Sequence, residues 1–501
     1  MIGKREIKLK QDKFNITKDF EFPSENDWQA AAEKLLKGKD LKETLFTSTE
    51  ENILVKPIYT SEDRPDLNLG ITDRENNCRV AQKLFAANDT FNSSAINALS
   101  KGQTALNIDL DLVSQFGSKA AHIPEIMGNV HLTEYKAMDK LFEGIDLNKV
   151  PLLFDALNSG NKIFDWLKKY AVENDIDNAK ISSALGVDPI SGALKYGGFD
   201  KPMETILDTI LPVFNQINDF PNIDVFTIQA NIIHNAGGHK LNELSYFLAV
   251  AVTYINYLAN LGIRPEKVIP KIRVKISVGN DQFLEIAKLR ALRILWKNVC
   301  DAYNVDSEEN KLMIDVETSW RFLSKLDPWT NMLRATSAAF SAIIGGCDSL
   351  DVLPFDLAVG KPDEFSMRQA RNIQIVLAEE SNIDKVIDPA SGSGYLDKMT
   401  IDLAEKSWQV FQEIEAAGGI VELIRNGTFQ DDVIKNAEKQ VFAFEKGERK
   451  AIGTNIYPNP EEVKIEKPEK KISFDNFSGN VAEKIKPLIQ SRVLEKLERN
   501  S

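Results

Sequence analysis

The chain is short of the residues on which many protein chemistries depend. Of its 501 residues only three are cysteine and four are histidine. Cys78, Cys300 and Cys347 are far apart and form no Cys-x-x-Cys, which excludes a disulfide-stapled scaffold and a thiolate zinc site. They read as reduced, buried thiols of a cytoplasmic protein. No pair of histidines has zinc-ligand spacing with a third ligand, so no metal is expected. Positive charge is also scarce: 61 Lys and Arg face 74 Asp and Glu, a formal net charge of −13. A chain so acidic repels phosphate backbones, which excludes broad nucleic-acid binding. No apolar run reaches the ~18 residues of a membrane span. The nearest approach, Leu244–Leu258, has the length of a buried helix. The first residues, Met1-Ile2-Gly3-Lys4-Arg5-Glu6, are basic, but no apolar core follows, so no secretion signal is expected. A Gly-x-Ser-x-Gly elbow and a Walker loop are absent as well.

What the chain does have is alternation. Hydrophobic residues make up 43% of it. From about residue 104, short runs rich in β-branched residues take turns with helix-length segments. The runs are Thr104–Leu110, Leu152–Leu157, Ile181–Leu185, Phe226–Ala230, Ile272–Val278, Met313–Val316, Asp348–Leu353 and Lys385–Asp388. Such alternation implies parallel strands joined by helical crossovers. Eight units predict an α/β fold closed as a (β/α)8 TIM barrel, with an open doubly wound sheet as the rival architecture. Helices are expected over Ser24 onward, Phe283–Trp296 and Tyr395–Ala417, the last stopped by Gly418-Gly419.

The organisation expected is an N-terminal arm and docking region over residues 1–100, a barrel over 101–460, and a linker with a terminal helix over 461–501. The linker is marked by "YPNPEEVKIEKPEKK", rich in Pro, Lys and Glu. The terminal helix is expected over about Val481–Glu498.

Candidate sites are few. "DPASGSGYL", Asp388–Leu396, lies between a predicted strand and a helix, where a phosphate cradle is physically feasible. Asp-Pro-x-x-Gly-Ser-Gly also resembles the cofactor loop of adenine DNA methyltransferases. Those enzymes need an Asn/Asp-Pro-Pro-aromatic tetrapeptide, and this chain contains no Pro-Pro at all. A tight structural corner is the better reading. His122 and His131 fall in a polar, irregular stretch. His234 and His239 flank Gly237-Gly238 just after the predicted fourth strand. The ends of barrel strands are where pocket residues sit, which makes His234 a pocket candidate. Asp348 and Asp351 are three apart on a strand and point to opposite faces, so they are not a carboxylate pair.

Several stretches together resemble the methylmalonyl-CoA mutase family. They are "KPIYTSED", "HNAGGHKLNELSYFLAVAVTYINYL", "FLEIAKLRALRILW", "DPWTNMLRATSAAFSAIIGGCDSLDVLPFD" and "RQARNIQIVLAEESNIDKVIDPASGSGYLDKMTIDLAEKSWQVFQEIEAAGG". The resemblance runs from about residue 20 to 460. It implies a barrel that threads a CoA ester. It also implies adenosylcobalamin, whose radical interconverts methylmalonyl-CoA and succinyl-CoA, with the protein supplying positioning and exclusion of water. The Asp-Pro-x-x-Gly-Ser loop would then close barrel strand eight and be mainly structural.

The sequence departs from the family's catalytic pattern. The Asp-x-His-x-x-Gly motif that ligates cobalt is absent, so no C-terminal cobalamin-binding domain is expected within these residues. Where the family has a catalytic Tyr-His pair, this chain has Asn231 and Ile232. Where it has Ser-Leu-His-Thr-Asn, this chain has Ser349-Leu350-Asp351-Val352-Leu353, and a carboxylate at Asp351 repels an acidic CoA ester. "LGVDPISGALKYG" and "GGCDSLDVLPFD" are most similar to the small (β) subunit of heterodimeric mutases. The resemblance therefore implies a cytoplasmic, non-catalytic subunit. Asn231, Ile232 and Asp351 would be degenerate positions, no cofactor would be bound by this chain, and adenosylcobalamin would be carried by a large catalytic α subunit. The alternatives are the catalytic barrel of a split acyl-CoA mutase with a separate cobalamin protein, or a scaffold with no part in turnover.

Overall fold

A computed structural model describes residues 23–63, 78–116, 129–199, 201–307, 309–459, 461, 465 and 482–499. The chain divides into two units, Met1–Tyr59 and Thr60–Ser501. In the first, a helix spans Glu25–Leu36 and opens on a capping box between Ser24 and Asp27. Thr47–Ser48 pairs antiparallel with Leu54–Val55.

The second unit is built on eight parallel strands: β1 Arg79–Val80, β2 Leu106–Ile108, β3 Leu152–Phe154, β4 Ser183–Val187, β5 Ile223–Gln229, β6 Ile272–Val278, β7 Met313–Thr318 and β8 Ser349–Asp351. They run in the order β1-β8-β7-β6-β5-β4-β3-β2. The ends of that row also meet. Lys83 and Asn107 form a parallel bridge, and Thr104 N–H donates to the Val80 carbonyl at 3.0 Å. The sheet is thereby closed into a (β/α)8 TIM-type barrel.

The helices behind the strands are α1 Asn88–Leu99, α2 Tyr135–Phe142, α3 Gly160–Glu173, α4 Leu211–Gln216, α5 Lys240–Asn260, α6 Gln282–Ala302, α7 Thr330–Ile344 and α8 Glu364–Ile375. Strand β6, "IRVKISV", shows why the barrel forms. Ile272, Val274, Ile276 and Val278 are buried apolar residues on one face, while Arg273, Lys275 and Ser277 alternate with them. Helices cover the outside of a parallel barrel, so the apolar face goes out to them and the polar face turns inward. Phe226 of β5 accordingly stacks on Tyr254 of α5, with ring centroids 4.8 Å apart.

Two further helices, α9 Gly394–Ala416 and α10 Thr428–Glu445, follow. Helix α9 packs outside α5 and α6. Among the described residues no helix is long and apolar enough to cross a membrane.

The structure corrects three expectations. Lys385–Asp388 is not a strand but an irregular turn, with Val386 60% and Ile387 36% exposed. The remaining strand is β1, from the stretch assigned to the arm, so His234 follows strand five and Asp348–Asp351 belongs to strand eight. The terminal helix covers only Glu495–Glu498, because Glu483–Lys484 is extended and pairs antiparallel with Gly198–Phe199.

The Asp388–Leu396 stretch is a corner held by a buried arginine. Arg290 of α6 is 1% exposed. Its Nε lies 2.9 Å from Asp388 Oδ1 and its Nη2 lies 2.7 Å from Asp397 Oδ1. Its Nη1 donates to Thr400 Oγ1 at 2.9 Å. Asp388 has φ 44°, a left-handed conformation that Asp tolerates better than most residues. This loop follows α8 and leads into α9, so it does not close strand eight.

Candidate functional site: the barrel interior and its C-terminal mouth

The inward faces of the strands carry charge. At the N-terminal end, Arg273 of β6 grips Asp315 of β7 through two bonds of 2.6 and 2.9 Å. It reaches Asp224 of β5 at 2.8 Å, and Ser349 Oγ donates to Asp315 at 2.5 Å. One layer up, Lys275 lies 3.7 Å from Glu317. Burial opposes its charge, but Glu317, Asp155, Asp351 and Asp109 outweigh burial and raise its pKa. Asp351 accepts from Lys83 N–H and from Asn107 Nδ2, each at 3.1 Å. Burial is the main reason its carboxyl is pushed up to about 6, with Lys275 working against the shift. Near the top Lys83 pairs with Asp109. Burial opposes the Asp109 charge, yet Lys83, Lys195 and Lys275 together hold its pKa below the ordinary value. Gln229 donates to Asp155 at 2.5 Å.

Among the described residues, Asn107, Asp155, Gln229, Lys275, Asp315 and Asp351 line a cavity of about 30 Å³ between these side chains. That is room for roughly two water molecules.

The C-terminal mouth over β5 is covered. Asn231–Asn235 forms a single helical turn after β5, and Asn231 and Asn235 both donate to Glu317 Oε1 at 2.9 Å. Ile232 is 2% exposed. His234 Nε2 lies 2.7 Å from Ser319 Oγ, and its ring meets Phe322 edge-on. Burial, reinforced by Lys288, Arg321 and Lys240, pushes its pKa well below the ordinary imidazole value. His234 is therefore a neutral residue bonded to Ser319. Its neighbour Glu243 is fully buried against Lys288 at 2.8 Å, and burial raises its carboxyl to about 7. Gly237 has φ 103°, and a Cβ there would meet Ala437 of α10 at 2.3 Å, so glycine is what lets α10 sit on this loop.

The tail crosses the same end. Ile485 N–H donates to Gly197 O, Leu488 N–H to Leu194 O, Ser491 N–H to Asn235 O and Val493 N–H to Arg321 O. The acceptors lie in the segments that follow β4, β5 and β7. Arg321, 1% exposed, ties both layers: Nη1 donates to Ser491 O at 2.9 Å and Nε to Gln440 of α10 at 2.8 Å.

A closed parallel barrel with this interior is met by a sequence comparison that spans nearly all of it. The profile of the family described as methylmalonyl-CoA mutase matches residues 48–499. The chain belongs to the methylmalonyl-CoA mutase family. A methylmalonyl-CoA mutase of Cereibacter sphaeroides is 28% identical over 466 residues, covering 88% of this chain and 65% of its own length. A methylmalonyl-CoA mutase small subunit of Streptomyces virginiae is 30% identical, with 85% and 69% covered. The small subunit of Propionibacterium freudenreichii subsp. shermanii is 31% identical, with 81% and 64% covered. The chain thus spans about two thirds of the length of these relatives.

Within this mutase-family barrel the residues singled out by sequence fall in two places. Asp351 lies in the interior seam, whereas Asn231, Ile232 and His234 lie in the turn after β5. Asp348 points away from Asp351, its carboxylate accepting from Ile314 N–H at 2.7 Å. His131 lies 2.6 Å from Asp111, and His239 caps α5 by accepting from Asn242 N–H at 3.2 Å. His122 lies outside the described residues. Sequence reading missed Lys83, Asp109, Lys275 and Glu317. The signal was available: "IRVKISV" and "MIDVET" alternate polar with apolar, and in a helix-covered barrel the polar face can only be the inner one.

Proposed function

We propose that this chain is the small, non-catalytic subunit of an adenosylcobalamin-dependent methylmalonyl-CoA mutase, docking on a large catalytic subunit and stabilising it. The observation that carries the reading is the charged seam of the barrel. Among the described residues, Lys275 and its acidic neighbours occupy the inner strand faces and leave between them a cavity of about 30 Å³. A channel for a pantetheine arm needs far more space than about two waters occupy. Any thioester entering would also meet Asp351, Glu317 and Asp155. The position where the family places a Tyr-His pair presents Asn231, engaged by Glu317, and a buried isoleucine, neither suited to protonating or stabilising a developing charge.

The described histidines do not fit cobalt ligation. His131, His234 and His239 are each committed to a side chain or backbone partner. No step is therefore assigned to a corrinoid on this chain. In this reading the cofactor and the isomerisation belong to the partner. The small-subunit names of the Streptomyces and Propionibacterium relatives support the same assignment.

The test is co-purification of the full chain from its own cells, with the co-eluting proteins identified by mass spectrometry. A larger homologous chain in about equal amount, carrying bound cobalamin, is the expected result. Methylmalonyl-CoA should leave the melting temperature of the isolated chain unchanged. A clear rise in Tm with the ester, or recovery of a small separate cobalamin protein, overturns the proposal.

A further inference from the structure

Cys78 and Cys347 are 269 residues apart in sequence, yet their sulfurs lie 2.9 Å apart. Cys78 immediately precedes β1 and Cys347 lies two residues before β8, the two strands pairing from Arg79 and Ser349 onward. Backbone bonds fix the approach: Arg79 N–H donates to Asp348 O at 2.9 Å, and Cys347 N–H donates to Ala342 O at 3.1 Å. A disulfide has a sulfur–sulfur bond of ~2.05 Å, so less than about 1 Å of side-chain adjustment separates this pair from a covalent link. We propose that Cys78 and Cys347 form a reversible redox clasp, two thiols at rest that a peroxide converts to a disulfide joining the first and last strands of the barrel.

The chemistry follows the exposure of the two sulfurs. Cys78 is half-buried and Cys347 is 2% exposed, so peroxide reaches Cys78 first. The Cys78 thiolate attacks one peroxide oxygen, the O–O bond breaks, and a sulfenic acid forms as hydroxide leaves and is protonated to water. The Cys347 sulfur then attacks the Cys78 sulfur, and the sulfenic oxygen leaves as a second water. Two thiols and one hydrogen peroxide give one disulfide and two waters. A small-molecule thiol reverses the step by exchange.

Position gives the clasp its effect. β1 is a two-residue strand held to β8 over Arg79 and Val80, and it meets the β2 segment through the Thr104 and Ala105 N–H bonds to the Val80 carbonyl and the Lys83–Asn107 bridge. It is the thinnest part of the strand ring. A cross-link there closes a loop of 269 residues in sequence, which restricts the unfolded chain strongly. Cys300 is a built-in control: it is fully buried in α6, and burial pushes its thiol up to about 12. The inference rests on the barrel alone and is independent of the subunit reading.

The test uses the full chain treated with equimolar hydrogen peroxide. Thiol titration in denaturant should fall from three to one, intact mass should drop by two hydrogens, and non-reducing peptide mapping should join the Cys78 and Cys347 peptides. The oxidised protein should melt several degrees higher than the reduced one, and dithiothreitol should restore three thiols. Cys300→Ala should still form the link; Cys78→Ser and Cys347→Ser should each abolish it. Three titratable thiols after treatment, oxygen added at Cys78 without a link, or chains joined to one another through Cys78 would each overturn the proposal.

Discussion

The Asp351 carboxylate accepts a hydrogen bond from the Asn107 amide at 3.1 Å, which joins β8 to β2 across the strand that lies between them. The same carboxylate holds the N–H of Lys83, three residues beyond that middle strand, so one buried side chain spans the seam where the barrel closes. Asp351→Ala removes both bonds and should cost about 1–3 kcal/mol. Urea unfolding of the full chain measures this, and an unchanged midpoint would show that the seam does not depend on Asp351.

The same residue sets a pH dependence. Its folded pKa is raised to about 6, above the ordinary value of 3.8, chiefly by burial. The folded state therefore takes up the proton first, and this group favours folding most below the ordinary value. That contribution is lost as pH rises through about 6. Asp351→Asn, which keeps an acceptor for the seam, should flatten this part of the stability profile and cost little at about pH 8. Wild-type and variant profiles of identical shape would contradict the assignment.

Lys288 offers a second, larger effect. Its ammonium lies 2.8 Å from Glu243 and 2.7 Å from Glu285, with all three side chains nearly or wholly out of solvent. Lys288→Met strands the buried Glu243, leaves Glu285 with Lys240 at 3.7 Å, and should destabilise the chain by about 3–5 kcal/mol near pH 8. The loss should shrink on acidification, because Glu243, already raised to about 7 by burial, protonates and no longer needs a counter-charge. A loss that does not vary with pH would mean that packing, not charge, is what Lys288 provides.

Seven of the eight barrel strands were legible as short apolar-rich runs that alternate with helix-length segments. β1 was not: it is Arg79–Val80, two residues with one of them charged, and only its neighbours in the barrel make it a strand. The Val-Ile pair before Asp388 misled for the opposite reason, since local β propensity there is overridden by the Arg290 contacts that set the turn. Asp351 was placed in the right strand segment, but its bond to Asn107 joins positions 244 residues apart and has no local signature. The tail misled as well. Its helical pattern gives way to extended backbone because the donors of Ile485 and Leu488 find carbonyls on Gly197 and Leu194.

Arg290 holds the Asp388 corner to α6 and α9 together. Arg290→Ala should cost about 3–5 kcal/mol, since the Asp388 and Asp397 carboxylates lose their buried counter-ion. Arg290→Lys should recover only part of this, because an ammonium cannot bond both carboxylates and Thr400 with the fixed fork of a guanidinium. Denaturant midpoints of the two variants decide it. Full rescue by lysine would reduce the contact to charge alone.

Arg321 decides whether the tail is a fixed cover of the barrel mouth. It joins the loop after β7 to Ser491 of the tail and to Gln440 of α10, and its carbonyl receives Val493 N–H. Arg321→Ala removes charge-assisted bonds worth about 1.5–3 kcal/mol each in buried settings. Hydrogen exchange should then speed up at Leu488, Ser491 and Val493, whose amides donate to segments that follow barrel strands, while the amides of β6 and β7 stay protected. Those strands are held by parallel pairing over Met313–Thr318 and Arg273–Val278, which Arg321 does not touch. If exchange rises equally in the strands and in the tail, the tail is part of one cooperative unit with the barrel. If it rises in neither, the backbone bonds to Leu194 and Asn235 are enough to hold the cover, and Arg321 serves α10 alone.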